Sequence, residues 1–322
     1  MIVITGGAGM IGSVIAWQLN QQGREDLVIV DRQTHAEQWQ NLCHRRYAEY
    51  LDKDELLPWL ASGPEVEAII HMGAISATTE RDWNRLLESN IRYSQQLWQW
   101  CAERQVPFFY ASSAATYGGG EQGYADTTSE PLRPLNAYGY SKLFFDQWAQ
   151  RQAAAGRAPQ RWAGFKFFNV YGPNEYHKGR MASVAYHSYQ QFRDRGSVKL
   201  FKSDRPDVAD GMQLRDFVYV KDAAGVLCWF LQNSASCGLY NIGTGQARAF
   251  KDLAEAVMAS AGNTPSIDWI EMPDDLKGKY QYFTQADMHK LRAAGYDHPF
   301  HSLEEGVRDY VQNYLMQPDP YC

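Results

Sequence analysis

Cysteine is scarce in this chain. There are five, at positions 43, 101, 228, 237 and 322, an odd number with no C-x-x-C spacing, so neither a disulfide framework nor a zinc site is indicated. The eight histidines are scattered without the paired spacing of a metal centre, and no metal is expected. Positive charge is not in excess either. A net charge of -6 argues against a broad nucleic-acid face, so any contact with a nucleotide must be local. No apolar run approaches the roughly 18 residues of a membrane-spanning helix, and no membrane partner is expected. The opening MIVITGG lacks a basic segment, a long apolar run and a small-residue cleavage site, so no export signal is visible. Together with the cysteine usage this predicts a reducing, cytoplasmic setting. There is no repeat period and no low-complexity tract.

What the chain does contain is an ordinary globular composition, 45% hydrophobic and 21% charged over 322 residues. That length exceeds a single small core and predicts one large α/β domain with an appended lobe. Short apolar runs at 2–5, 27–30, 68–71, 108–111 and 164–168 alternate with helical patterns, which predicts a Rossmann-type, doubly wound parallel sheet covered on both faces. After about Asn169 the pattern turns irregular, and a smaller C-terminal α/β substrate lobe should begin there. The run at 239–242 before GTG reads as a strand returning to the main sheet. The expected division is therefore 1–168 with about 215–247 returning to it, against 169–214 and 248–322.

The sequence ITGGAGMIGSVIAWQL sets Gly6, Gly9 and Gly12 directly after the first strand and at the start of an amphipathic helix. Residues without a Cβ permit a tight turn there and let helix N-terminal amides meet a pyrophosphate. A plain glycine turn is the bland alternative. Asp31, 19 residues beyond Gly12 at the end of the second strand, occupies the ribose-binding position and favours the dinucleotide reading. Asp31 suits the 2′-hydroxyl of NAD, whereas Arg32 beside it suits the 2′-phosphate of NADP, so the two signals conflict. Lys53 offers a second positive charge near the adenosine, or is simply a solvated surface lysine.

The fourth strand runs into YASSAATYGGG, and AYGYSKLFFDQW follows as a helix start. Tyr138 and Lys142, four apart, share one helix face, so the ammonium is placed to lower the phenol pKa toward working pH. A depressed tyrosine serves as acid and base for a carbinol proton. Tyr140, two from Lys142, is turned away. Ser113 is placed to hydrogen-bond the same oxygen, with Ser112 pointing to the other face if the strand persists. Against this stands the abundance of tyrosine, 20 in the chain.

Glycine turn, serine-rich strand end and Tyr-x-x-x-Lys, in that order, resemble the extended short-chain dehydrogenase/reductase family along almost the whole chain. IIHMGAISATT with Asn90 downstream, FFNVYGP, RDFVYVKD and YNIGTG are further matches. Within that family, YASSAATYGG, NVYGPNEYHKGRMASVAYH and LKGKYQYFTQADMHKLRAAGY are similar to the branch that inverts an exocyclic carbinol of ADP-heptose for the lipopolysaccharide inner core. The resemblance implies epimerisation at C6″, with bound NADP as a transient hydride store, NAD being the alternative. Cofactor contacts implied by it are Met10, Ile11, Asp31, Arg32, Lys53 and Asn90, the run Met72, Gly73, Ala74, Ile75 and Ser76, and also Tyr138, Lys142, Val170 and Lys178. Sugar-nucleotide contacts implied by it are Ser113, Asn169, Arg180, His187 and Arg215, with Phe201, Lys202, Ser203, Asp204 and Tyr280. For the chemistry it implies Tyr138, Lys142 and Ser113, with Lys178 as a second acid/base for the opposite face of the carbinol. A homo-oligomer is implied as well.

The chain departs from the family pattern at Gln38, where a lysine is usual, at Lys166, where an arginine is usual, at Arg180, and in a longer 203–214 segment. Other readings are a UDP-hexose 4-epimerase or a nucleotide-sugar dehydratase, although SSAATYG lacks the Asp and Glu pair of the latter. A third is a non-catalytic NADP-binding sensor, against which Ser113, Tyr138 and Lys142 all stand intact.

Overall fold

The computed structural model describes all residues except 34, 263, 265 and 274–280. Its strands, in chain order, are β1 (Ile2–Thr5), β2 (Leu27–Asp31), β3 (Glu49–Asp52), β4 (Ala68–His71), β5 (Phe108–Ser113) and β6 (Trp162–Phe167). They continue with β7 (Asn169–Tyr171), β8 (Val198–Phe201), β9 (Leu214–Tyr219), β10 (Gly238–Ile242), β11 (Ala247–Ala249) and β12 (Ile267–Ile270). Seven of them form one sheet in the order β10-β6-β5-β4-β1-β2-β3, every neighbouring pair parallel.

Continuous apolar sequence explains the middle of that sheet. β1 (IVIT) and β4 (AIIH) are buried at every position, as strands covered by helices on both faces must be. β3 (EYLD) sits at the edge, where polar side chains are tolerated. β1 is flanked by β2 on one side and β4 on the other, so the chain reverses direction of travel across the sheet there. Such a reversal opens a crevice at the carboxyl ends of the strands, where ligands bind in folds of this kind.

The helix Met10–Gln21 packs against Val220–Gln232, and Gln18 Nε2 donates to the Lys221 carbonyl at 2.7 Å. β9 joins a small three-stranded sheet, order β11-β9-β7, in which it runs parallel to β7 and antiparallel to β11. The return to the main sheet is therefore made by Val220–Gln232 and β10, with β9 standing outside it. β8 and β12 form a separate parallel pair. Among the described residues, no helix is long and apolar enough to cross a membrane.

Candidate active site

The glycine turn leaves β1 at Gly6, whose φ of +64° favours glycine. A Cβ there would lie 2.6 Å from the Gly73 amide nitrogen, so the turn and the loop after β4 touch backbone to backbone. On Gly12 a Cβ would lie 2.2 Å from the Gly6 carbonyl oxygen. Gly9 is the N-cap of Met10–Gln21 and brings no side-chain cap, which leaves the first-turn amides of a 12-residue helix available to an anion. Such a cradle fits a dinucleotide pyrophosphate.

Asp31, at the end of β2, accepts from the Ala8 amide at 2.9 Å, the Arg32 amide at 2.8 Å and Gln38 Nε2 at 3.2 Å. Burial pushes its carboxyl above the ordinary value, against these hydrogen bonds. Arg32 is exposed and paired with Asp54. Lys53 lies 4.6 Å over the Tyr93 ring and donates to Ser89 Oγ at 3.3 Å, and burial lowers its pKa.

The second wall is tied down by buried polar groups. His71 Nδ1 and Thr5 Oγ1 are 2.6 Å apart, and Thr5 Oγ1 accepts from the Gly73 amide at 3.1 Å. Desolvation holds His71 neutral, with a pKa of about 3. Asn90, 1% exposed, accepts from the Ile75 amide at 2.8 Å and donates to the Ile75 carbonyl and to Ser141 Oγ, both at 3.0 Å. Met72, Gly73, Ala74, Ile75 and Ser76 are thus held beside Gly6. Met10 is buried and Ile11 partly buried under the same turn.

β5 ends at Ser113, and the helix Ala137–Ala154 starts opposite it because Asn136 caps it, accepting from the Gly139 amide at 2.8 Å. Tyr138 and Lys142 therefore fall on one buried face. Ser113 Oγ accepts from the Ala115 amide at 3.1 Å and acts on the Tyr138 phenol in the direction of lower pKa, and Lys142 Nζ donates to the Ala111 carbonyl at 2.9 Å. Ser112 turns to the opposite side, donating to Asp146 Oδ2 at 2.7 Å.

The expected fall in the Tyr138 pKa is not what this arrangement produces. Burial raises the phenol above 10.0, and the Ser113 hydroxyl only opposes that rise. Lys142 is itself desolvated, down to about 8. Its ammonium is engaged by the Ala111 carbonyl, and the charge that acts on Tyr138 is the Asp146 carboxylate, which pushes the phenol up.

Other predicted residues are spread more widely. Lys178, in the short helix Tyr176–Met181, brings Nζ to 3.8 Å from Met10 Sδ and so meets the glycine turn. Asn169 and Val170 open β7. Arg180 is exposed, and His187 is half-buried on Val184–Arg195 with its ring 5.9 Å from that of Tyr186. Phe201 closes β8, and Lys202 pairs with Glu271 at 2.8 Å. Ser203 Oγ and the Asp204 amide both meet Tyr282 OH, at 3.1 and 3.0 Å. Arg215 is buried, its guanidinium 5.4 Å over the Phe250 ring. Tyr280 lies outside the described residues.

Sequence reasoning missed several groups that support this site. Glu175, wholly buried, accepts from the Ser183 amide at 2.5 Å and Ser183 Oγ at 2.7 Å, closing the loop that carries Lys178. Its only signal was an acid three residues before Lys178. Asp146 had a clearer one, four residues after Lys142 on the same helix.

The model of the NAD dependent epimerase/dehydratase family matches residues 2–243. The chain belongs to that family. The match spans the glycine turn, the Ser113, Tyr138 and Lys142 trio and the return strand β10, so a nicotinamide cofactor goes with the cradle described above. Two relatives named ADP-L-glycero-D-manno-heptose-6-epimerase match over 100% of both chains. One, from Fusobacterium nucleatum subsp. nucleatum, is 52% identical, and the other, from Nitratidesulfovibrio vulgaris strain Hildenborough, 49%. The crystal structure of the Helicobacter pylori enzyme of that name superposes with a TM-score of 0.81 at 25% identity, covering 97% of this chain and 95% of that one. A UDP-glucose 4-epimerase of Thermus thermophilus in complex with NAD shares the fold, with a TM-score of 0.77 at 24% identity and 97% of each chain covered.

Proposed function

We infer that this chain converts ADP-D-glycero-D-manno-heptose to ADP-L-glycero-D-manno-heptose by inversion at C6″, supplying heptose for the lipopolysaccharide inner core. The observation that carries this reading is identity near 50% over full length to relatives of that name, in a family member whose Ser113, Tyr138 and Lys142 stand together at one strand end. A nicotinamide held in the glycine cradle would supply a transient hydride store for C6″, and the chain's own residues would handle the proton. Tyr138 takes the C6″ hydroxyl proton on the first face, and Ser113 hydrogen-bonds the same oxygen. Lys142, on the same buried helix face as Tyr138, would help hold the cofactor. Lys178 delivers the proton on the second face, because a tyrosine fixed on a buried helix serves only one. Arg215 binds the diphosphate, with Asn169, Arg180, His187, Tyr280 and the 201–204 segment around the sugar nucleotide. Rossmann residues 1–168, with the returning segment, hold the cofactor, and the remainder forms the substrate lobe of a homo-oligomeric cytoplasmic enzyme.

NMR of the product after incubation with ADP-D-glycero-D-manno-heptose tests the reading. Unchanged C6″ configuration in cofactor-loaded protein would remove it. NADP is the favoured cofactor, on the strength of Arg32 and Lys53 flanking the ribose-binding Asp31. Calorimetric titration should give tighter NADP+ than NAD+ in the parent, with the preference reduced in Arg32→Ala. Equal parent affinities would overturn the NADP choice.

A further inference from the structure

Beneath Ser113, Tyr138 and Lys142 lies a second ionic group that hydride transfer does not call on. Asp146, one helical turn beyond Lys142, is 1% exposed and Lys166 of β6 is 2% exposed, and their charged atoms meet at 2.7 Å. Their hydrogen bonds are directed at one piece of chain. Asp146 accepts from Ser112 Oγ at 2.7 Å and from Tyr110 OH at 3.0 Å. Lys166 donates to Thr116 Oγ1 at 2.7 Å, and Thr116 Oγ1 donates in turn to the Ser113 carbonyl at 2.8 Å. Ser113 is therefore gripped from both sides, and Ala111, whose carbonyl receives Lys142 Nζ, lies one residue before Ser112. An ion pair removed from water this completely gains little over well-packed apolar residues of the same volume. Fold stability alone does not account for it.

We infer that Asp146 and Lys166 are positioning residues for the proposed epimerisation, holding the 111–116 strand end against the helix of Tyr138 and Lys142 and setting one fixed negative charge a turn from Lys142. The inference rests on the roles given above to Ser113, Tyr138 and Lys142. Charge supports it as well as geometry. Burial drives Lys142 down to about 8, and the Asp146 carboxylate is the group that opposes the fall. The other titratable groups facing Lys142 are Tyr138 on its own helix and His71 of β4, and His71 is held neutral by burial.

Asp146→Asn combined with Lys166→Met removes both charges and leaves no buried ion unpaired. Measured on cofactor-loaded full chain, it should retain cofactor affinity and lose about tenfold or more in kcat, with KM within about twofold. The alkaline limb of kcat should move to lower pH, because the Lys142 ammonium has lost its counter-charge. Lys166→Arg keeps the pair and should keep the parent profile. Ser112→Ala removes one grip and no charge, so it should lower kcat with the limb unmoved, and it serves where the double variant fails to fold. A double variant with the parent limb, whatever its kcat, would overturn the charge role. A Ser112→Ala variant at parent kcat would overturn the positioning role. NMR titration of Lys142 in parent and double variant reads the same charge effect without turnover. It separates failure of this inference from failure of the epimerase reading, which would appear as no inverted product from the parent.

Discussion

In the proposed mechanism Tyr138 must release a proton and Lys142 must hold one, and burial against the same strand end works against both. For Lys142 the consequence is measurable as stability. Its folded value of about 8 lies below the ordinary 10.5, so the unfolded chain binds more protons between those limits and stability rises with pH across that window. Below it the full cost of a buried ammonium is present. Lys142→Met should therefore raise stability at pH 7, by roughly 3 kcal/mol at the outside, less what the lost hydrogen bond to Ala111 contributes. The gain should vanish above the ordinary lysine pKa, and epimerisation should be lost. Urea denaturation at the two pH values checks this, and equal stabilities at pH 7 would show that Lys142 is not desolvated. Tyr138→Phe and Lys178→Met should each keep fold and cofactor and lose epimerisation by about 10²-fold or more. A substrate surrogate already oxidised to the C6″ aldehyde separates the two bases, since two such molecules dismute to an acid and an alcohol without inversion. Each single variant should retain part of that dismutation and the double variant should lose it. Parent-rate epimerisation by Lys178→Met would return Lys178 to the status of a surface residue.

At the scale of elements, the glycine turn makes a sharp steric statement. A methyl group on Gly12 would collide with the Gly6 carbonyl at 2.2 Å, whereas one on Gly9 would meet the same oxygen at 3.1 Å. Gly12→Ala should cost about 2 kcal/mol or more and abolish cofactor binding, and Gly9→Ala should be much milder in stability. Urea midpoints and calorimetric titration of both variants check the ranking, and equal losses would refute it. This element was legible because local sequence dictates it: four apolar residues, glycines at fixed offsets, then an amphipathic helix. The alternation that sends Ser112 and Ser113 to opposite faces was legible for the same reason. β3 was not, since an edge strand reading EYLD carries no apolar run, and β7, β9 and β11 are three to six residues long and meet only through distant chain. Lys166 stood out only as a departure from an expected arginine, and its pairing with Asp146 was not legible because a contact between a helix and a distant strand leaves no trace in local sequence. The pKa of Tyr138 was misjudged because helix spacing reports which side chains share a face and says nothing of how completely that face is covered.

At the scale of the whole molecule, the proposed function needs the seven-stranded and three-stranded sheets held together, so that a cofactor on the first meets a sugar nucleotide near the second. Asp216 of β9 makes that joint. It is wholly buried, and its carboxylate accepts four hydrogen bonds, from the Thr244 amide and hydroxyl at 2.7 Å each and from the Gly245 and Ala286 amides at 2.9 Å each. Thr244 and Gly245 follow β10 of the main sheet, Asp216 belongs to the small sheet, and Ala286 comes from the segment before the helix His289–Ala293. One side chain thus ties three separate parts of the chain, and it adjoins Arg215, proposed for the diphosphate. Burial still pulls its carboxyl above the ordinary value, so protein donors, with no help from solvent, must carry the charge. Asp216→Asn preserves volume but presents an amide donor to groups that are themselves donors, leaving buried N–H groups unpaired whichever way the amide turns. The expected loss is roughly 3 kcal/mol or more in urea denaturation. Because Asp216 lies outside the glycine cradle, the surviving folded protein should bind NADP+ as the parent does while its KM for the heptose nucleotide rises. A variant as stable as the parent would mean the four donors find other acceptors. A fall in NADP+ affinity matching the rise in KM would mean instead that the joint acts on the whole molecule and not on the placement of the substrate lobe.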